Sequence, residues 1–228
     1  MANGSGASTA YARDSVEFSR AVAFFDAVYA FAVTLLVVNL DPPEASDWTS
    51  LAKLLGSGLE WQFLGFAISF VVIAVFWRVN HGLVAQFSGL DSATIAANLL
   101  ATAFVVLIPF TTQGVSDVET SDEPLATALY SVNIACAVFA QSATYYVARA
   151  KGLIANPIPA RAEWVQLLNA LTTPLVFLVS IPIGYAFGAN AARLTWALLF
   201  IIGPVSGRLS ARRIAKIVAE ESRVVDRS

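Results

Sequence analysis

The sequence predicts an all-α membrane protein with six transmembrane helices per subunit. Hydrophobic residues make up 57% of the 228 residues, charged residues make up only 13%, and the mean hydropathy is +0.67. This composition is far more apolar than that of a soluble domain of the same length. The stretches between charged residues are long enough for an α-helix to cross a hydrocarbon core of about 30 Å. They are too long, and alternate too little, for membrane β-strands.

The six spans account for most of the chain. They are predicted from Ser19 to Leu40, Glu60 to Arg78, Ser92 to Gln113, Pro124 to Ala148, Glu163 to Phe187 and Arg193 to Gly207. The fourth is more polar than the others, because it contains Asn133 and Gln141. The string IGYAFG at 183–188 is interpreted as the end of the fifth helix.

The two ends of the chain flank this six-helix domain, which covers 19–207. A tail over 1–18 precedes it, and a basic helix or tail over 208–228 follows it. The first 18 residues lack the apolar region and cleavage site of a signal peptide, and the opening MANGSGAST is expected to be disordered. The stretch RLSARRIAKIVAE has basic residues at helical spacing, which fits either a helix along an anionic membrane surface or a solvated helix end.

The distribution of basic residues predicts the orientation in the membrane. Twelve of the 14 Lys and Arg residues lie in the N-terminal segment, the turns after the second and fourth spans, and the C-terminal segment. Only Lys53 and Arg193 lie on the other side, where the loop from Asp117 to Glu123 carries four carboxylates. Both termini are therefore predicted to be cytoplasmic.

The composition also argues against several classes of function. A net charge of -2 argues against nucleic-acid binding. One Cys excludes an internal disulfide framework, and one His excludes a polyhistidine metal site. Because no span contains paired carboxylates, neither a nucleophilic dyad nor a metal cluster can be assembled. The chain is therefore not expected to be an enzyme, and no cofactor or tight metal site is predicted.

The first span carries an acid and a distinct stripe. Asp26 lies inside the helix, where an ionisable residue is costly and needs a partner. At about 100° per residue, Phe31, Thr34, Leu35 and Val38 share one stripe, and Asp26 lies about 140° from Phe31. We therefore interpret Asp26 as part of a structural bond network. The stripe is typical of helix packing, with a pore-lining face as the alternative.

The beginning of this span contains a recognisable motif. Arg20 is followed by Phe24, Phe25 and Asp26 and then by an apolar helix with Thr34. This pattern resembles the Arg-x-x-x-Phe-Ser-Asp signature of the transmembrane protein 175 family, which comprises lysosomal potassium channels and their prokaryotic relatives.

A second motif lies at the end of the second span. Trp77, Asn80 and His81 in the string WRVNH are similar to that family's Trp/Asn/His motif. Six helices, cytoplasmic termini and the length of the chain match its single-repeat prokaryotic members. The resemblance thus covers the whole chain in architecture and two short stretches in sequence.

The resemblance implies a homotetramer in a lipid bilayer, in which the first helix of each subunit lines a potassium pore. It assigns the narrow constriction to Phe31, a Thr layer to Thr34, and further apolar rings to Leu35 and Val38, with potassium bound only transiently. The implied location is the plasma membrane of a prokaryote. The implied network that supports the pore helix consists of Arg20, Phe24, Asp26, Trp77, Asn80 and His81.

Two residues depart from the family pattern. Phe25 replaces the motif Ser and cannot form a side-chain hydrogen bond, and Phe31 stands where an aliphatic residue is usual. Four Phe31 rings could tighten the pore, gate it by dewetting or offer ring faces to a cation. These alternatives remain open at the level of sequence.

The alternative function is a proton-coupled secondary transporter that uses Asp26 or His81, with Pro174 or Pro182 breaking helices around a site at mid-depth. Such a site needs converging polar groups. The available groups are Asn98, Asn133, Gln141 and Asn169, on four different helices. We instead expect these four side chains to form hydrogen bonds between helices.

Overall fold

The computed structural model describes residues 10–117 and 119–225. The opening MANGSGAST, predicted to be disordered, lies outside the described residues. The elements, in chain order, are β1 (Tyr11–Ala12), α1 (Val16–Val38), α2 (Leu51–Leu55), α3 (Leu59–Val84), β2 (Gly89–Leu90), α4 (Ser92–Val106), α5 (Ile108–Ser116), α6 (Pro124–Ala150), α7 (Ala160–Ala170), α8 (Thr172–Phe187), α9 (Ala189–Ala197) and α10 (Leu199–Val225).

These helices form six segments that are long and apolar enough to cross a membrane, so the predicted all-α membrane fold is confirmed. The segments are Val16–Val38, Leu59–Val84, Ser92–Ser116, Pro124–Ala150, Ala160–Phe187 and Ala189–Arg223. The last one differs most from its prediction. Helix α10 continues without a break across Gly207, so the basic C-terminal stretch and the sixth span are one helix.

Local sequence signals explain where several helices begin, bend and end. The Ser15 hydroxyl caps α1 by accepting from the Phe18 backbone N–H at 3.1 Å, which satisfies one of the free donors of the first turn. The third and fifth spans are each divided at a single residue, Leu107 or Leu171. A proline follows each division, and it cannot donate to the carbonyl four residues earlier. Helix α8 ends at Phe187, as predicted, and is followed by Gly188, whose φ of 92° suits glycine.

Helix α6 lies at the centre of the subunit and packs against α4, α5 and α8. It is the most buried of the six spans, so its polar side chains face other helices and not lipid. Gln141 Nε2 donates to the Phe76 carbonyl at 3.1 Å, and Asn133 Nδ2 donates to Thr111 Oγ1 at 3.4 Å. Ser131 pairs with a hydroxyl on α8. The greater polarity of α6 therefore reflects its internal position, where these hydrogen bonds satisfy polar side chains that water does not reach.

Two clusters of buried apolar side chains fill the bundle. The larger one joins α1 to the central helices and is formed by Tyr29, Ala32, Leu36, Ile73, Phe76, Val105, Ile108, Tyr130, Ile134, Ala137 and Phe177. The smaller one lies at the end that carries the strands and is formed by Phe18, Phe25, Leu83, Val84, Phe87, Leu90, Tyr145, Ala148 and Ile154. Helix α1 contributes to both, so its inner face is anchored along much of its length.

Three chain segments meet at one end of the bundle. Strand β1 pairs antiparallel with β2, and a Cβ at Gly89 would lie 2.8 Å from the Tyr11 carbonyl oxygen, so glycine allows this approach. Arg13 Nη1 donates to two carbonyls at the end of α3, including that of Phe87 at 2.8 Å. The Ser88 N–H donates to the Leu153 carbonyl at 2.8 Å. All three segments belong to the side on which most basic residues were counted.

Candidate functional site

Helix α1 has one buried face and one exposed face. The buried side chains are Phe18, Phe25, Tyr29, Ala32 and Leu36, which recur every three to seven residues. They follow one side of a helix with 3.6 residues per turn and pack against α3, α4 and α5. The other side of α1 has no covering element within the described part of this subunit. It is therefore available to lipid or to another subunit.

The predicted pore-lining stripe lies on the uncovered side of α1. Phe31 is 61% exposed and Val38 is 74% exposed; Thr34 is also exposed, and Leu35 is partly buried. The Thr34 hydroxyl donates to the Phe31 carbonyl at 2.8 Å. Because this bond uses the hydroxyl proton, lone pairs of the oxygen remain free to face a cation.

Three members of the predicted support network lie together where the middle of α1 meets α3. The Trp77 indole Nε1 on α3 donates to Asp26 Oδ1 on α1 at 2.9 Å. The rings of Trp77 and His81 are neighbours, with centroids 5.6 Å apart and planes inclined by 33°. The intramembrane acid thus has a specific partner on the adjacent helix, which satisfies part of the cost of placing it there.

The other members of that network are placed elsewhere. Asn80 lies one turn after Trp77 on α3 and is buried, and its Oδ1 accepts from Asn98 Nδ2 on α4 at 2.8 Å. Arg20 and Phe24 are on the exposed side of α1, and Arg20 has no hydrogen bond or ion pair with any described residue. Asn98 is the partner that the motif did not contain, although its position inside an apolar helix had indicated an interhelical bond.

The interhelical role expected for the amide side chains is confirmed for Asn98, Asn133 and Gln141. Asn169 differs, because its buried Oδ1 has no described partner. Phe25, at the position of the motif Ser, is 1% exposed and packs in the smaller apolar cluster. Its ring therefore points away from Asp26, and the hydrogen bond that a serine would offer is replaced by core packing.

Among the described residues, no group of three or more His, Cys, Asp or Glu side chains could hold a metal ion. Cys136 on α6 is a free, partly buried thiol. At the end opposite the strands, Arg193 on α9 donates to the Ser121 carbonyl and so ties this helix to the acidic loop.

Fold and site together define a multi-pass helical membrane protein whose first span is packed on one side and uncovered on the other. Residues 20–109 match the sequence profile of the family described as endosomal/lysosomal potassium channel TMEM175. This region begins at Arg20 and includes both the Asp26–Trp77 contact and the uncovered stripe. This part of the chain is therefore similar to the TMEM175 family.

The chain is also similar to several relatives in sequence and to solved structures in fold. A protein named as a potassium channel from Streptomyces collinus is 28% identical over 194 residues, which are 83% of this chain and 86% of the relative. Another from a Chryseobacterium species is 30% identical over 108 residues, 47% of this chain and 54% of the relative. The fold is similar to the crystal structure of a lysosomal potassium-selective channel TMEM175 homologue from Chamaesiphon minutus, with a TM-score of 0.66, 22% identity, and coverage of 86% of this chain and 99% of that one. A second similar structure is that of the potassium channel MtTMEM175, with a TM-score of 0.59, 18% identity, and coverage of 92% and 99%.

Proposed function

We propose that this chain is a potassium-selective or potassium-preferring cation channel, formed by four subunits whose α1 helices line a central pore. The observation that carries the proposal is the uncovered stripe on α1, which has a firmly packed face directly opposite. A pore bounded by this stripe requires other copies, because the stripe lies on the outside of a single subunit. The match of residues 20–109 to the family profile and the names of the similar proteins support potassium as the ion.

In this arrangement the stripe forms successive rings along the pore. Phe31 supplies the narrow hydrophobic constriction, Thr34 supplies a ring of hydroxyl oxygens, and Leu35 and Val38 supply further apolar rings. An ion passing the constriction sheds part of its water, and potassium does so at lower cost than sodium because its hydration is weaker. Conduction is passive and follows the gradient, with potassium held only transiently and no cofactor required.

The contacts around Asp26 fix the rotation of α1 about its axis, and with it the direction of the stripe. The Trp77 hydrogen bond holds one edge of the helix to α3, and His81 packs against the same indole. Asn80 steadies α3 against α4 through Asn98. Arg20 and Phe24 extend the uncovered face toward the N-terminal end of α1, where neighbouring subunits approach.

The membrane setting follows from charge. We propose a prokaryotic plasma membrane with both termini in the cytoplasm. Support comes from the excess of Lys and Arg on one side and from the meeting of three segments of that side at one end of the bundle. We expect a reporter fused to the C-terminus to be labelled only after the cells are opened. Labelling of the reporter in intact cells would contradict this orientation.

Flux through the purified protein in liposomes tests the proposal. We expect uncoupled potassium flux that exceeds sodium flux. Phe31→Ala should widen the constriction and reduce the preference for potassium several-fold. The control Phe200→Ala removes another exposed ring, on α10, and should leave the preference unchanged. No flux under any gradient, or an unaltered preference in Phe31→Ala, would contradict the pore.

The same liposomes test the proton-coupled transporter that uses Asp26 and His81. One observation favours it, since both side chains contact the Trp77 ring system. It predicts saturable flux that depends on a proton gradient and loses this dependence in Asp26→Asn. The channel predicts flux without such coupling in either protein.

A further inference from the structure

A second feature of the bundle lies away from α1, between the fifth and sixth spans. A cleft of about 210 Å³ separates the α7–α8 junction from α10. Its polar lining consists of Asn169, Thr172, Ser206, Ser210 and Arg213. A cleft of this size holds a small polar group, whereas sites for drug-sized molecules occupy about 300–1,000 Å³.

The chemistry of the lining favours an anion. Arg213 presents several N–H donors in a planar fork that suits phosphate oxygens, and the hydroxyls of Thr172 and Ser210 add donors. The Ser206 hydroxyl donates to the Gly203 carbonyl at 3.1 Å. Among the described residues that line the cleft, none is acidic, and Arg213 forms no ion pair with a described residue. The cationic head is therefore not neutralised within the described part of the subunit.

The cleft also contains an unused acceptor. Asn169 Oδ1 is buried and has no hydrogen-bond partner among the described residues. Leaving a buried polar atom unpaired destabilises the protein. A ligand that carries both a phosphate and a hydroxyl would satisfy this oxygen and Arg213 at once.

The surroundings point to a lipid as the source of this headgroup. Leu168 and Leu209 belong to the lining and are 64% and 50% exposed, so apolar surface continues from the cleft along the outside of the helices. Arg213 lies in the basic part of α10, beside Arg212 and close to Lys216. Basic side chains at this depth attract the anionic lipids of the cytoplasmic leaflet.

We propose that this cleft binds the headgroup of an anionic phospholipid of the phosphatidylglycerol type. Arg213 and the hydroxyls of Thr172 and Ser210 hold the phosphate, Asn169 accepts from a headgroup hydroxyl, and the acyl chains follow Leu168 and Leu209. The site belongs to one subunit and does not depend on ion conduction.

Lipid retention by the purified full chain tests the site. Native mass spectrometry and thermal unfolding are measured with dioleoyl phosphatidylglycerol and with dioleoyl phosphatidylcholine. We expect selective retention of phosphatidylglycerol and a higher unfolding temperature. Arg213→Gln should weaken apparent binding roughly five-fold, from the contribution of one basic side chain near an anionic surface. Arg212→Gln is the matched control, because it removes the same charge one residue away, from a side chain that does not line the cleft.

A cleft-filling variant separates the cleft from general surface charge. Ser206→Leu leaves the charge unchanged and should abolish the selective retention, with circular dichroism used to verify that the helices remain. Equal losses in Arg212→Gln and Arg213→Gln would overturn the proposal, as would equal retention of the two lipids. Stabilisation of the same size by inorganic phosphate alone would also overturn it, because the occupant would then be a free anion.

Discussion

The hydrogen bond between Asp26 and Trp77 is the most direct structural tie between α1 and α3, and its strength can be measured. Trp77→Phe removes the indole donor but keeps an aromatic ring, and Asp26→Ala removes the acceptor. The double variant completes a mutant cycle whose coupling energy isolates the pair. We expect the free energy of unfolding to fall in each single variant and to fall less than additively in the double variant.

The expected magnitude follows from the geometry. The donor–acceptor distance is 2.9 Å and the acceptor is an acid, for which hydrogen bonds contribute about 1.5–3 kcal/mol in soluble proteins. Trp77 is 42% exposed, however, and hydrogen bonds between membrane helices average about 0.6 kcal/mol and reach about 1.7. We therefore expect a coupling energy of about 1 kcal/mol, or roughly a five-fold change in the unfolding equilibrium.

The chemical nature of the bond can be examined with Asp26→Asn. This variant keeps an acceptor oxygen but not the carboxylate, and charge-assisted hydrogen bonds are roughly twice as strong as neutral ones. The coupling to Trp77 should therefore fall to about half. The assay is reversible unfolding in mixed micelles, followed by circular dichroism.

The control for this cycle lies on the same helix. Trp61 on α3 is exposed and its indole has no hydrogen bond with a described residue, so Trp61→Phe should change the unfolding free energy by less than about 0.5 kcal/mol. A coupling energy of zero between Asp26 and Trp77, or an equal loss in Trp61→Phe, would refute the reasoning. Helix α1 would then be held to α3 by apolar packing.

Two further predictions concern the packing of the bundle. A methyl group at Gly65 would lie 2.6 Å from Ser116 Cβ, so Gly65→Ala should lower the free energy of unfolding by about 1–3 kcal/mol and lower the thermal unfolding temperature. The control is Gly82→Ala on the same helix, where an added methyl group meets nothing within 4 Å and should be neutral or stabilising. Equal effects of the two substitutions would contradict the close approach of α3 and α5. Ser180 accepts from Trp196 Nε1 at 2.9 Å and pairs with a hydroxyl on α6, so Ser180→Ala should cost about 1–2 kcal/mol of unfolding free energy while leaving the potassium preference in liposomes unchanged. A changed preference with unaltered stability would contradict that structural role.

The number and position of the spans were predictable because they depend on hydrophobicity summed over many residues. Because a helix must cross the full thickness of the hydrocarbon core, the positions at which it can begin and end are narrowly constrained. The polar fourth span shows that hydrophobicity summed along a helix does not indicate whether the helix faces lipid or other helices. Asn133 and Gln141 made it look less suited to lipid, yet α6 is the most buried of the spans and uses these groups to bond neighbouring helices.

The candidate site was predictable to a smaller extent. Helical spacing placed the Phe31 stripe and Asp26 on different sides of α1, and the helix has this arrangement. Spacing within one helix does not identify partners on another helix. Trp77 and Asn80 are three residues apart in one motif, but they bond to different helices, α1 and α4.

The sequence alone determined the membrane environment, the six spans, the asymmetry of charge and the two faces of the first helix. Each of these arises from hydrophobicity, charge and a fixed helical period along the chain. The tertiary structure decided which face of α1 is covered, which amides pair and where Arg213, Asn169 and three hydroxyls meet. These outcomes depend on the rotation and contact of helices far apart in sequence. In lipid such contacts are selected by close packing and a few hydrogen bonds, which no single segment specifies.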